Sequence, residues 1–194
     1  MGIPTSAQFP KMKTYLSTTS VQTAADDNLI VTTVDMKVGA YSVAAQPTSP
    51  SKIGFKVTKV GNADTMGTIT VVGTDIHNRA ITEVVTPISD DTVWTTAYFK
   101  TITSITGAGW VVSADTSKDT IIVGIPATGG IEGFGMPIEF VCLSGVIYVD
   151  PKAVATTSSY VLAANESIKL TVSEVLSYIS NGSAATFKVI IWEP

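Results

Sequence analysis

Residues 68–86 read TITVVGTDIHNRAITEVVT, and this stretch carries the clearest structural signal in the chain. Two runs rich in Val, Ile and Thr, at 68–72 and 80–86, flank a segment that contains Gly, Asp and Asn. β-Branched residues favour the pleated surface of a strand, and Asn tolerates the left-handed backbone of a tight reversal. The pattern therefore predicts a β-hairpin that turns at Asn78.

The same kind of pattern continues through most of the sequence. From Leu29 to Trp192, short β-type runs are separated by Gly, Pro, Asn and Asp, at a spacing typical of sandwiches and barrels. Leucine, the usual filler of helix cores, occurs only six times in 194 residues. We therefore predict an all-β fold, an antiparallel β-sandwich of Ig-like or jelly-roll-like type, which comprises one sandwich or two packed β subdomains.

Residues 1–28 differ from the rest of the chain. They contain two prolines, end in the polar run Asp26-Asp27-Asn28 and show no strand period, which predicts an extended N-terminal arm. The arm nevertheless carries sizeable apolar side chains that a solubility tail would not need. Because such side chains stabilise a protein only when they are buried, we predict that the arm binds a neighbouring subunit. The predicted interface residues are Ile3, Phe9, Met12, Tyr15 and Leu16.

The remaining chain divides at a glycine-rich segment. Residues 29–128 hold most of the β-type runs and predict the main β-sandwich domain. The glycines at 129–135 indicate a flexible boundary, because glycine has the widest conformational freedom. Residues 129–194 are therefore predicted to form a Gly-rich linker followed by a smaller C-terminal β domain, or to complete the first sandwich.

Residues that could support catalysis are few and isolated. His77, the single histidine, falls in the predicted turn, which favours a solvated turn residue over a general base. Cys142, the single cysteine, lies in an apolar run with no adjacent His, which favours a buried structural thiol. The pairs Asp26-Asp27 and Asp90-Asp91 follow no calcium-loop spacing and are interpreted as turn caps. We predict no enzyme activity, no catalytic residue, no cofactor and no metal site.

Charge and hydropathy exclude two further classes of partner. The formal net charge is −4 and the Lys and Arg residues are scattered, whereas a nucleic-acid-binding surface requires a basic stripe. The longest apolar run, Phe140–Val149, is far shorter than a membrane helix of about 20 residues. Residues 1–20 lack the apolar core of a secretory signal. We therefore predict no direct binding to nucleic acid and no membrane association.

The aromatic residues leave a different alternative open. Exposed Trp and Tyr side chains can form a platform for sugar rings, as in a carbohydrate-binding β-sandwich module. Here the candidates fall on different predicted strands at no common spacing, which favours roles in the core and at interfaces. They are Trp94, Tyr98, Trp110, Tyr160 and Trp192.

Several stretches share a pattern of strand and turn residues. A Gly-Thr-Asp turn at 73–75 and an Ile-Thr-Glu strand at 81–83 precede a Phe-x-Thr-Ile-x-Ser-Ile run at 99–105. This order resembles a pattern common in structural proteins of tailed bacteriophages. Residues 162–170 and 178–192 are similar to the ends of many phage virion β-domains. The resemblance carries over no catalytic residue.

This resemblance implies a non-enzymatic virion structural protein that is made in the host cytoplasm. The leading hypothesis is a capsid decoration or cement protein, which buries apolar and Thr-rich patches on the capsid surface and bridges neighbouring subunits. The implied partners are the major capsid protein or other virion proteins, together with further copies of the chain. A phage tail, neck or fibre component stays open, and a carbohydrate-binding β-sandwich module is the alternative from another class.

Overall fold

The computed structural model of the chain describes residues 11–59, 65–111, 119–132, 135–171 and 175–193. Within these ranges the backbone forms sixteen strands and no helix, so the all-β prediction is confirmed. The strands are β1 (Lys11–Ser20), β2 (Asp26–Asp35), β3 (Gly39–Tyr41), β4 (Gly54–Thr58), β5 (Thr68–Thr74), β6 (Ala80–Val85), β7 (Thr92–Trp94), β8 (Thr101–Ala108), β9 (Thr120–Ile125), β10 (Gly129–Glu132), β11 (Pro137–Ser144), β12 (Val146–Asp150), β13 (Tyr160–Ala163), β14 (Ser167–Thr171), β15 (Val175–Ser180) and β16 (Thr186–Glu193).

Strands β2 to β9 form a first sandwich, here called the inner sandwich. One of its sheets has the order β2-β9-β4-β7 and the other the order β3-β8-β5-β6. Alternating residues from both sheets enter one shared core, in which Phe55, Val71, Ile105 and Val123 are fully buried. The core therefore lies between the two sheets, and the remaining faces of the strands point outward.

Strand β1 and strands β10 to β16 form a second sandwich, here called the outer sandwich. Its sheets have the orders β1-β16-β11-β14 and β10-β15-β12-β13. The centre of its core is aromatic, since the rings of Phe140, Tyr178 and Phe187 lie with their centroids 4.7 to 5.6 Å apart. Offset aromatic contacts at such distances add to the free energy gained by burial alone.

Both sandwiches have the same strand order. When the eight strands of each are counted along the chain, the first, eighth, third and sixth form one sheet, and the second, seventh, fourth and fifth form the other. This double-sheet arrangement of eight antiparallel strands is that of a jelly roll. The inner jelly roll is inserted between the first and the second strand of the outer one.

The hairpin predicted at residues 68–86 is confirmed. Strands β5 and β6 pair in register from Ile69 opposite Val85 to Thr74 opposite Ala80. Asn78 in the connecting turn has a φ of 61°, the left-handed conformation that this residue type was expected to supply.

The prediction of an extended arm is wrong for residues 11–28, whereas residues 1–10 lie outside the described ranges. Residues 11–20 are strand β1, which pairs along β16 from Lys11 opposite Glu193 to Ser20 opposite Thr186. Two register shifts, on either side of Leu16, interrupt this ladder. A bulge inserts an extra residue and moves the following side chains to the other face, so no period of two was visible in the sequence. The run Asp26-Asp27-Asn28 forms the start of strand β2. Register shifts in the β2–β9 ladder hid the strand period here as well.

The prediction of a Gly-rich linker is also wrong where the structure describes the segment. Residues 129–132 are strand β10, and both of its glycines are buried. A Cβ atom at Gly129 would collide with the ring of Tyr178, and one at Gly130 would collide with the ring of Tyr98. Glycine is therefore required here for close packing against aromatic rings rather than for flexibility. The C-terminal segment does not complete the first sandwich, because it closes a second one with β1.

The two sandwiches contact each other through several described residues. Ile76, from the turn between β5 and β6, is buried in the core of the outer sandwich. The carbonyl of Pro50 accepts hydrogen bonds from the backbone N–H of Gly130 at 3.0 Å and from the Tyr178 hydroxyl at 3.1 Å. The Thr48 hydroxyl donates to the Gln22 side chain at 2.8 Å. The inner sandwich thus inserts a side chain into the outer core.

Candidate interaction surface

The outer side of the sheet β3-β8-β5-β6 consists almost entirely of Thr, Ser, Val and Ala. Along β5 the buried residues alternate with half-buried ones, so that Ile69 and Val71 enter the core while Thr and Val side chains face outward. We call this outward surface the threonine face. Its residues are Ala40, Thr68, Thr70, Val72, Thr74, Ala80, Thr82, Val84, Thr101, Ser104, Thr106 and Ala108.

The strand register arranges these side chains in rows. Thr70 lies opposite Thr106 on one side and opposite Val84 on the other, and Thr106 lies opposite Ala40. A second row runs from Ser104 through Val72 to Thr82. Because directly opposite residues project from the same side of a sheet, the first row crosses all four strands and the second crosses β8, β5 and β6.

None of the described residues that form the threonine face is charged. The four strands contain one charged residue, Glu83, which lies opposite the buried Val71 and therefore on the core side. Its carboxylate accepts hydrogen bonds from the backbone N–H groups of Thr96 and Ala97, at 2.6 and 3.0 Å. The only charge in these strands is thus used to hold the segment that leads into β8.

Burying a surface of this composition against a partner costs little desolvation free energy. Taking a hydroxyl out of water costs roughly 1–3 kcal/mol when it is not compensated, which is less than the cost of an ion. Some of that compensation is internal, since the hydroxyls of Thr74 and Thr101 lie 2.7 Å apart and bond to each other. β-Branched side chains also have few rotamers to lose. Val84, which is 60% exposed, supplies apolar area that only a partner could bury.

The residues predicted to form an interface are found in different environments. Ile3 and Phe9 lie outside the described ranges. Met12 lies opposite Trp192 on β1 and is 59% exposed, and the backbone of Leu16 pairs with Val189. Tyr15 instead packs within its own chain, because its ring meets the His77 ring edge-on with centroids 4.8 Å apart. Contact of Met12 with a neighbouring subunit stays a prediction.

His77 lies in the turn between β5 and β6, as predicted, but it packs against Tyr15 instead of being solvated. The nearby carboxylate is used to stabilise the same turn. Asp75 is buried, accepts a hydrogen bond from the Arg79 backbone N–H at 2.9 Å, and forms an ion pair with the Arg79 guanidinium at 2.6 Å. The arrangement rigidifies the turn that carries Ile76 into the outer core.

Cys142 is buried in β11, so its predicted burial is confirmed. Desolvation and the charge of Glu166 raise the pKa of the thiol, and a backbone hydrogen bond at Ser144 only partly opposes this. A raised pKa keeps the thiol protonated at neutral pH, whereas the thiolate is the form that attacks substrates or binds metals.

The carboxylate pairs serve the backbone around them. Asp90, with a φ of 58°, accepts a hydrogen bond from the backbone N–H of Lys59 at 3.2 Å, and Asp91 accepts one from that of Thr92 at 2.7 Å. This confirms Asp90-Asp91 as turn caps, whereas Asp26-Asp27 lies in β2. Across the described ranges, no group of three or more His, Cys, Asp or Glu is placed to hold a metal ion.

The aromatic residues also separate into two groups. Trp110 is 5% exposed and belongs to the inner core, and Tyr98 and Trp192 are half-buried. Trp94 and Tyr160 are 39% and 64% exposed, and they lie on different sandwiches. The five residues therefore do not share one groove.

Sequence reasoning anticipated Thr-rich contact surfaces but not their location. The sequence of residues 68–74 shows that every second side chain of this strand faces outward. It does not show which strands lie beside this one in the sheet. Strand β3 joins this sheet from a distant part of the chain and pairs with β8 over three residues only. A three-residue strand carries too little sequence to show a period.

The chain matches no protein-family model and no curated protein. It is similar to a solved structure of an HTH_3 family transcriptional regulator from Vibrio cholerae, with a TM-score of 0.30 and 17% sequence identity. That match covers 43% of this chain and 47% of the regulator's chain. At this TM-score the similarity carries no argument about function. Among the described residues, no helix has the length and apolar character needed to cross a membrane.

Proposed function

We propose that the chain is a non-enzymatic structural protein of a tailed-phage virion, and specifically a capsid decoration or cement protein. The observation that carries the proposal is the threonine face, a four-stranded surface without charge. It suits burial against a protein lattice, because this chain need not desolvate an unpaired ion there. Two jelly rolls also agree with this role, since that architecture recurs in viral capsid proteins. Fold alone does not imply function, so the weight of the proposal rests on the surface.

In this role the protein acts by binding and not by chemistry. The threonine face covers a surface of the major capsid protein or of another virion protein. Met12, which is exposed on the edge strand β1, lies on the outer sandwich and is available to a second neighbour. One chain would thereby bridge two subunits, which is how a cement protein strengthens a shell. His77 and Cys142 have structural roles in this scheme, as packing partner and buried thiol.

The proposal is tested by a charge placed in the middle of the threonine face. Thr70→Lys adds an ammonium group beside Thr106 and Val84, whereas Thr58→Lys adds the same group at an exposed position of the inner sandwich's other sheet. Each variant replaces the wild-type chain during particle assembly, and its copy number per particle is measured after purification. Folding of both variants is checked by circular dichroism, and Val84→Glu is a second probe of the same face.

We expect Thr70→Lys and Val84→Glu to reduce incorporation by about tenfold or more, because burying an unpaired charge costs several kcal/mol. Thr58→Lys should incorporate like the wild-type chain. Equal incorporation of all three variants would contradict burial of the threonine face. A ring or fibre in place of copies on the shell would favour the tail, neck or fibre alternative over decoration.

A further inference from the structure

The opposite sheet of the inner sandwich presents a different kind of surface. Trp94, on the short edge strand β7, lies opposite Gly54 of β4, which in turn lies opposite Gly124 of β9. Glycine lets neighbouring groups approach the backbone closely at both positions, and above Gly124 the backbone of Asp26 and Asp27 fills the space. The Trp94 ring lies directly against Gly54, since a Cβ atom on residue 54 would be 2.6 to 2.9 Å from three of its ring carbons.

Contact with Gly54 buries only one side of the Trp94 ring. An aromatic ring that covers a glycine protects the exposed backbone of an edge. Yet 39% of the Trp94 surface stays in contact with solvent. The ring is held against the sheet on its inner side and is available on its outer side.

Polar groups of three kinds surround this ring. Asp27, Lys56 and Thr92 lie beside the Trp94 ring and the two glycines. Lys56 lies opposite Thr92 in the next row of the sheet. The backbone of Asp27, in β2, lies directly above Gly124. A carboxylate, an ammonium and a hydroxyl therefore lie around one aromatic ring, so both donors and acceptors are present.

We propose that Trp94, Asp27, Lys56 and Thr92 form a binding site for a neutral pyranose sugar of an oligosaccharide. A pyranose with equatorial hydroxyls presents a flat face of C–H groups, which stacks on the negative face of an indole. Its hydroxyls project from the rim of the ring, where they both donate and accept hydrogen bonds. Asp27 would accept from them, Lys56 would donate to them, and Thr92 can do either.

This site is separate from the threonine face. The two surfaces belong to opposite sheets of the inner sandwich, so a chain that is fixed to a partner through one sheet would leave the other accessible. Sugar binding therefore does not depend on the proposed virion role, and failure of either proposal leaves the other standing.

Titration of the isotopically labelled full chain with two neutral oligosaccharides, cellohexaose and fully N-acetylated chitohexaose, tests the proposal. The indole N–H resonance of Trp94 is expected to shift with at least one of these probes, whereas those of Trp110 and Trp192 stay in place. Sorbitol, an open-chain polyol without a ring face, should cause no shift at the same concentration. Absence of any Trp94 shift with both oligosaccharides at about 10 mM would overturn the proposal, since even weak single-ring sites bind in that range.

Variants separate stacking from simple structural support. Trp94→Ala should weaken binding by about tenfold or more, whereas Trp94→Phe keeps part of the affinity. Tyr160→Ala removes another exposed aromatic ring and should leave binding unchanged. Because Trp94→Ala uncovers Gly54 and can destabilise the sheet, Asp27→Asn and Lys56→Ala provide a second test that leaves the ring in place. Unchanged binding in both of these variants and in Trp94→Phe would contradict the site.

Discussion

The inner and the outer sandwich share one strand order but differ in how the chain supplies their strands. The inner sandwich is continuous, from β2 at Asp26 to β9 at Ile125. The outer sandwich takes its first strand from residues 11–20 and its other seven from residues 129–193. Its edge strand β1 must therefore find β16 across almost the whole chain. The same architecture is thus formed once from neighbouring sequence and once from the two ends of the chain.

This difference predicts where the molecule is vulnerable. Pairing between distant segments requires closure of a long loop, which costs conformational entropy before any contact is made. Here the loop is itself a folded sandwich, and Ile76 in its β5–β6 turn is buried in the outer core. We infer that the inner sandwich, once folded, brings the two ends together and stabilises the outer one.

Deletion of residues 1–20 should have the largest effect. It removes β1, exposes the edge of β16 and takes away Tyr15, which packs against the outer core. We expect the free energy of unfolding to fall by more than about 4 kcal/mol, as in the few changes that remove a whole element of the core. Deletion of residues 1–10 keeps β1 and is the control. An unchanged thermal midpoint after the longer deletion would show that β1 is dispensable.

Truncation of Ile76 tests the coupling between the sandwiches. Ile76→Ala should cost about 2–5 kcal/mol, because it leaves a cavity in the outer core. Ile88→Ala removes the same atoms from a side chain that is 56% exposed and should change stability by less than about 0.5 kcal/mol. Calorimetry should show one transition in the wild-type chain and two in Ile76→Ala. A single transition at the wild-type midpoint in Ile76→Ala would contradict the coupling.

Two adjacent glycines in β10 provide a sharper comparison. A methyl group at Gly129 meets the Tyr178 ring, which is fully buried, whereas one at Gly130 meets the half-buried Tyr98 ring beside a cleft of about 210 Å³. The Tyr98 ring can shift into that cleft to make room for the methyl group, whereas the fully buried Tyr178 ring has no free space beside it. Gly129→Ala should therefore cost about 3 kcal/mol and Gly130→Ala about 1 kcal/mol, as measured by urea unfolding. The reverse order would mean that the packing around Tyr178 is looser than described.

Much of the fold could be predicted from the sequence because its signals are local. The hairpin at 68–86 has alternating β-branched residues and Asn78 at the turn, and both are properties of adjacent residues. Strand β1 could not be predicted, because its bulges disrupt the alternation and its partner lies at the far end of the chain. The glycines of β10 were interpreted as a linker because the rings of Tyr98 and Tyr178, which require them, are distant in sequence.

For the surfaces, too, local features could be predicted from the sequence and contacts between distant segments could not. Outward Thr residues on β5 follow from alternation in one strand, but the threonine face exists only because β3, β6 and β8 lie beside it. Tyr15 was predicted to contact a neighbouring subunit, since its apolar ring is unexplained by local sequence. Its contact with His77 depends on the fold bringing β1 against the β5–β6 turn.

The smallest expected effect concerns the hydroxyl of Tyr178. Burial raises the pKa of Tyr178, and the neutral hydroxyl donates to the Pro50 carbonyl at the junction of the sandwiches. Because the folded pKa is raised, its contribution to stability is complete below the ordinary pKa of about 10 and is lost as the pH rises above it. Tyr178→Phe should cost about 1 kcal/mol at neutral pH and make the alkaline loss of stability less steep. Tyr160→Phe, at an exposed ring, is the control, and an equally steep loss in Tyr178→Phe would refute the assignment.

A reconstruction of assembled particles would show whether the threonine face is a binding surface. At a resolution that shows side chains, we expect Thr70, Val72 and Val84 in van der Waals contact with a neighbouring chain, in many copies across the shell. We expect Trp94, on the opposite sheet, to lie away from that contact. A particle in which the threonine face points to solvent while another surface makes the contact would show that this face is not the binding surface.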